Sequence, residues 1–137
     1  MGFNFVDAET VDFDPQTYVR ILIAIAKADP DNGPAEFTYV QRQAQRLGVD
    51  YQHVLDTTDK SFSIGKQNIT RLTALEVLRS AIMLASLDRN FSLPERQRVY
   101  TYAEKLDVAR KDVDQLELLI KEFRQLNDRW QQLVASH

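Results

Sequence analysis

Tyr18-Val19-Arg20-Ile21-Leu22-Ile23-Ala24-Ile25-Ala26-Lys27-Ala28 is apolar around most of a helical circumference. A segment of that kind predicts a helix buried on nearly all sides, at the centre of a domain rather than on its face. Its flanks agree. Asp14-Pro15 reads as an N-cap followed by a first-turn proline, and Asp29-Pro30-Asp31-Asn32-Gly33 breaks the helix.

Pro34 opens a second helix with an apolar stripe of Phe37, Val40, Ala44 and Leu47, ended by Gly48. A short helix follows near 51–56, then an irregular connection over 59–67. From Thr70 to Leu87 the theme returns. Leu72, Leu75, Leu78, Ala81, Ile82 and Ala85 mark another largely buried helix, broken at Asp88-Arg89-Asn90-Phe91. Ser92-Leu93-Pro94-Glu95 opens the next, with Val99, Ala103 and Leu106, and a long last helix runs from about Lys111 to Val134. No stretch alternates as a strand does.

The return is a repeat in sequence. At an offset of 59 residues, without a gap, Arg20/Arg79, Ile23/Ile82, Ala26/Ala85, Asp29/Asp88, Glu36/Glu95, Val40/Val99, Ala44/Ala103, Leu47/Leu106 and Val49/Val108 are identical. Nine identities in 31 aligned positions compare with roughly two expected from average residue usage. The expected fold is therefore all-α: a single-domain helical bundle of about 6–8 helices, made of two pseudo-repeated helix–acidic loop–helix units. Residues 1–13 read as an N-terminal extension and 14–137 as the domain.

Composition narrows the function classes. The chain has 137 residues, 17 basic against 20 acidic, and a net charge of −3. That leaves no basic excess for nucleic acid and argues against adhesion to an anionic bilayer. The absence of Cys removes disulfides, thiolate nucleophiles and Cys-based zinc sites. The run from Ile21 to Ala26 is too short for a transmembrane segment, which leaves peripheral membrane association open. The N-terminus lacks the basic region of a signal peptide, and a cytoplasmic location is the default expectation. His53 and His137 are the only histidines, and neither has a triad partner nearby in sequence. Gly65-Lys66 lacks the glycines of a phosphate-binding loop. The expectation is a binding domain, not an enzyme.

The acidic loops admit two readings. Glu95 stands at the third helical position after Ser92, a capping box, and Glu36 holds the same place after Gly33. Both glutamates then serve their own helices. Asp29 and Asp88 follow the C-terminal ends of apolar helices, where the dipole disfavours a carboxylate by roughly 0.3–1 kcal/mol. Loop amides or a cation would satisfy them. With Asp31 and Asn90 as added oxygen donors, an all-oxygen set suits calcium or magnesium. The first loop is not an EF-hand: Gly33 falls at its fifth position and Val40 at its twelfth.

Two similar halves, each with an alanine-rich helix leading into Asp and Glu seven residues later, resemble the TerB-like tellurite-resistance domain. The carrying stretches are Ile25-Ala26-Lys27-Ala28-Asp29 with Glu36, and Leu84-Ala85-Ser86-Leu87-Asp88 with Phe91, Ser92 and Glu95. The chain departs from that family's pattern at Pro30 and Arg89, where the family carries Gly, and at Asn32. The resemblance implies seven or eight helices, an acidic surface that binds a divalent metal, and a bacterial stress-response setting, sometimes attached to J-domain co-chaperones. It implies Asp29, Glu36, Asp88 and Glu95 as metal candidates, to which Asp31 is added on its chemistry. The alternative is a protein–protein or co-chaperone-associated module with no metal site and with protein partners.

In the last helix Val113, Leu116, Ile120, Phe123, Asn127, Trp130 and Val134 keep three–four spacing, with Leu119, Leu126 and Leu133 widening the stripe. So wide a stripe suits packing on the domain's own core. The alternative is a homodimer through the C-terminal helix, with Asn127 setting register and Trp130 as anchor.

Overall fold

The computed structural model describes residues 4–29, 33–87 and 89–136. In chain order it contains α1 (Pro15–Ala28), α2 (Pro34–Leu47), α3 (Tyr51–Thr57), a 3-10 turn at Ile64–Lys66, α4 (Arg71–Ala85), α5 (Leu93–Lys105) and α6 (Arg110–Ala135). Among the described residues there is no strand. The all-helical expectation holds, with six α-helices.

Local chemistry sets the helix ends. Asp14 accepts from the Thr17 amide at 3.2 Å to cap α1, and Pro15 occupies the first turn. Thr70 caps α4 by accepting from Thr73 N at 3.2 Å. The two caps touch, since the Asp14 amide donates to Thr73 Oγ1 at 3.1 Å. At the end of α2, Gly48 adopts the left-handed conformation at φ 72°, and the Val49 amide returns to Ala44 O at 2.9 Å. After α5 the same turn is made by Asp107 at φ 60°, with Val108 N on Ala103 O at 2.8 Å.

Packing follows from α1. Tyr18, Val19 and the unbroken run Ile21 to Ala26 are all buried, so α1 must be covered on every side. It packs against α2, α3 and α4; α4 in turn packs against α5 and α6. Ahead of α1, Val6 and Phe13 enter the same core, and Arg46 of α2 donates to the Val6 carbonyl at 2.5 Å.

A charged pair sits inside among buried hydroxyls. Glu76 and Arg79 of α4 form an ion pair at 2.6 Å with side chains 4% and 3% exposed. Tyr18 Oη lies 2.6 Å from Ser80 Oγ, and Tyr39 stands close to the same serine. Burial raises the pKa of both tyrosines. Burial opposes the charge of Arg79, but the hydrogen bond and charge of Glu76 raise its pKa on balance. Its guanidinium also stands 5.6 Å from the Phe5 ring.

Breaking this pair takes the buried counter-charge from Arg79. Glu76→Ala is expected to cost about 3–5 kcal/mol in urea unfolding, whereas Glu76→Leu with Arg79→Met recovers most of that loss.

Candidate functional site

The helix ends around the acidic residues converge. Asp29 from the end of α1, Glu36 from the start of α2, Leu84 from α4, and Ser92, Glu95 and Arg98 at the start of α5 line one cleft of about 470 Å³. Three of the five carboxylates expected as metal candidates thus share one opening. Asp31 and Asp88 lie outside the described residues.

Each glutamate is engaged at home. Glu95 Oε1 accepts from the Ser92 amide at 2.8 Å, and Ser92 Oγ accepts from Glu95 N at 3.3 Å. Glu36 Oε2 accepts from the Gly33 amide at 2.8 Å. Gly33 has no side chain to return the bond. In both helices the carboxylate sits where the dipole favours it.

Asp29 is held differently from the two glutamates. It is the C-cap of α1, its side chain is 13% exposed, and its Oδ2 lies 2.6 Å from a guanidinium nitrogen of Arg98. A cation does answer the unfavourable dipole at this helix end, and it is supplied by α5. Tyr102, one turn beyond Arg98, has its pKa raised chiefly by burial, with the Asp29 charge adding to it. Arg98 is the residue of this site that sequence reasoning missed. It is one of many exposed-looking arginines, and its partner stands 69 residues away.

Arg89, which follows Asp88, engages α6 rather than the cleft. It adopts φ 65° and donates to Asp128 at 2.9 Å. The hydrogen bond from Arg89 holds the Asp128 carboxyl below its ordinary range. Among the described residues no group of three His, Cys, Asp or Glu is gathered closely enough to hold a metal ion. As arranged, one oxygen of each glutamate is committed to a cap and Asp29 to Arg98, so a cation in this cleft has to compete with bonds already made.

A second surface lies at the other end of the chain. Val113 and Ile120 of α6 are buried, and Phe123 and Asn127 are half-buried. Leu126, Trp130, Leu133 and Val134 are 53%, 51%, 68% and 57% exposed. The expectation that the domain's own core covers the whole stripe therefore fails on the flank at Leu119 and Leu126 and across the full width beyond Asn127. On the flank the reason is direction, since Leu119 points away from the core that Ile120 enters; at the end it is length. A helix of 26 residues is roughly 39 Å long, and the core has no surface left for its last two turns. Asn127, which the homodimer alternative sets at the seam, has its Oδ1 shielded from solvent with no hydrogen-bond partner among the described residues. His53 is exposed on α3. No helix among the described residues is long and apolar enough to cross a membrane.

Comparison with protein-family models, with curated proteins and with solved structures finds no match.

The caps give a direct test. Ser92→Ala should cost about 1 kcal/mol in thermal unfolding, while Glu95→Gln, which keeps an acceptor for the Ser92 amide, should cost under about 0.5 kcal/mol. A Cβ at Gly33 would meet nothing nearer than 3.6 Å, and the backbone there is extended. Gly33→Ser should therefore gain about 0.5 kcal/mol by importing the missing half of the box.

Proposed function

We propose that this chain is a non-catalytic protein-interaction domain of the TerB-like type, serving a bacterial cytoplasmic stress response and meeting its partner through the C-terminal half of α6. The observation that carries the reading is the distribution of exposed apolar side chains. Of the ten large ones among the described residues, six belong to α6: Leu118, Leu119, Leu126, Trp130, Leu133 and Val134. Scattered single residues of this kind need no explanation, but a run along one helix marks a contact surface. Trp130 is the sort of anchor that dominates such contacts.

Two features support the family part of the reading. The halves repeat in sequence at one offset, and the capping glutamates of α2 and α5 open their helices 59 residues apart.

Expression in a tellurite-sensitive bacterial strain tests this. The unmutated chain should raise tolerance. Trp130→Ser with Leu133→Ser should lose that protection while its unfolding free energy stays within about 0.5 kcal/mol, as expected for exposed positions. Equal protection by the variant removes α6 from the function, and no protection by the parent removes the tellurite setting.

A metal-linked reading has one observation in its favour, the sharing of a cleft by Asp29, Glu36 and Glu95. In that reading calcium or magnesium takes Asp29 from Arg98, and Asp31 and Asp88 complete the oxygen set. Metal at 100 times its Kd would stabilise the chain by about 2.7 kcal/mol. The gain should vanish in Asp29→Asn with Asp88→Asn. A thermal midpoint indifferent to millimolar calcium and magnesium removes the metal.

A further inference from the structure

We infer that the partner of α6 is a second copy of this chain, paired antiparallel in one defined register. This rests on the reading of α6 as the interaction surface and names what covers it.

Leu116, Leu119, Phe123, Leu126, Trp130 and Leu133 step along α6 by three and four residues in alternation, the spacing of a two-helix seam. It is not the row that is most regular in the sequence. That row includes Val113 and Ile120, which are buried in the domain's own core. The open seam shares Leu116, Phe123 and Trp130 with that row, but its other flank is Leu119, Leu126 and Leu133 in place of Ile120, Asn127 and Val134, each one residue back and so about 100° around the helix; α6 thus faces its own domain with one side and solvent with another. Leu119, Leu126, Trp130 and Leu133 are exposed, and Leu116 and Phe123 are half-buried at the domain end.

The flanking charges select the register. Glu122 and Arg129 border the seam on the side away from the core, both exposed. Neither forms an ion pair with a described residue. Set two copies antiparallel, with Leu119 against Trp130 of the second copy, Phe123 against Leu126, and Leu116 against Leu133. Glu122 then falls beside Arg129 of the second copy, and by the two-fold axis Arg129 falls beside Glu122. Two opposite-charge pairs close over an apolar centre. In a parallel pair the same positions set Glu122 beside Asn127 and Arg129 beside Val134, and neither charge is compensated. The antiparallel arrangement also lets the projecting end of each α6 cover the exposed Leu119 of the other. The interface is isologous and closes at two copies.

The seam is small. From Leu116 to Leu133 it runs about 26 Å on a helix roughly 10 Å across, below the ~800 Å² per partner of a standard interface. The dimer is therefore expected to dissociate on dilution.

The test uses the full chain in sedimentation velocity and light scattering from micromolar to millimolar concentration. Emission is read from Trp130, the one tryptophan in the sequence. The expected result is a reversible monomer–dimer equilibrium in which the indole moves from solvated to buried as dimer forms. Glu122→Arg and Arg129→Glu each weaken it about tenfold, since two symmetry-related pairs turn repulsive, and the double variant returns to within about threefold of the parent. Circular dichroism confirms that each variant folds. A dimer that ignores the charge reversals, or that the double variant fails to restore, overturns the register and with it the proposal. A monomer at millimolar concentration with a solvated indole overturns self-pairing and leaves α6 open to a different protein. A monomer whose indole is already buried overturns the α6 surface as well.

Discussion

The constraint on which this structure depends is that α1 has no solvent face. From Ile21 to Ala26 every side chain is buried, and a helix that is apolar all round is stable only when other elements enclose it. That requirement accounts for the arrangement of α2, α3 and α4 about it, and for the recruitment of Val6 and Phe13 from the residues ahead of α1. It also explains why α4 carries the interior's polar group. With α1 supplying aliphatic surface, Tyr18 is its one buried hydroxyl, and α4 answers with Ser80 beside the Glu76–Arg79 pair. A buried pair of this kind contributes little net stability against a hydrophobic replacement, but it cannot be half removed.

Charge in this chain is settled largely at helix ends. Glu36 and Glu95 occupy first turns, where both the amides and the dipole welcome a carboxylate. Asp29 stands at a C-terminal end, where the dipole opposes it, and Arg98 of α5 compensates. The cleft between these groups is therefore acidic in composition but internally neutralised in part, with the Asp29–Arg98 contact tying the end of α1 to α5. Two arginines that stand 59 residues apart at matching sequence positions have different surroundings. Arg20 donates to Thr57 and Thr58 at the end of α3, whereas Arg79 is enclosed with Glu76.

The last helix carries two apolar requirements at once. Its first half supplies Val113 and Ile120 to the core that α4 and α5 build. Its second half outruns that core and keeps its leucines and Trp130 in solvent. Burying those side chains requires a surface this domain does not contain, which makes the far end of α6 the place where association changes the hydration of the molecule most.

The sequence by itself determined what depends on neighbours along the chain. Periodicity marks the helices, Asp14, Thr70 and Ser92 start them, Gly48 ends one, and the glutamates three residues after Gly33 and Ser92 announce their capping role. These signals work over three or four residues, so they are written locally. Tertiary structure decided the rest. Arg98 finds Asp29 across 69 residues only because α5 lies against the end of α1. Asp107 takes the left-handed turn that Gly48 takes after α2, a conformation that an aspartate tolerates but signals far less strongly than a glycine does. Glu76 and Arg79 look like an ordinary surface pair one turn apart, and Trp130 like one more member of a buried stripe. Which of them meets solvent depends on how far the neighbouring helices reach, and spacing along one helix carries no information about the length of another.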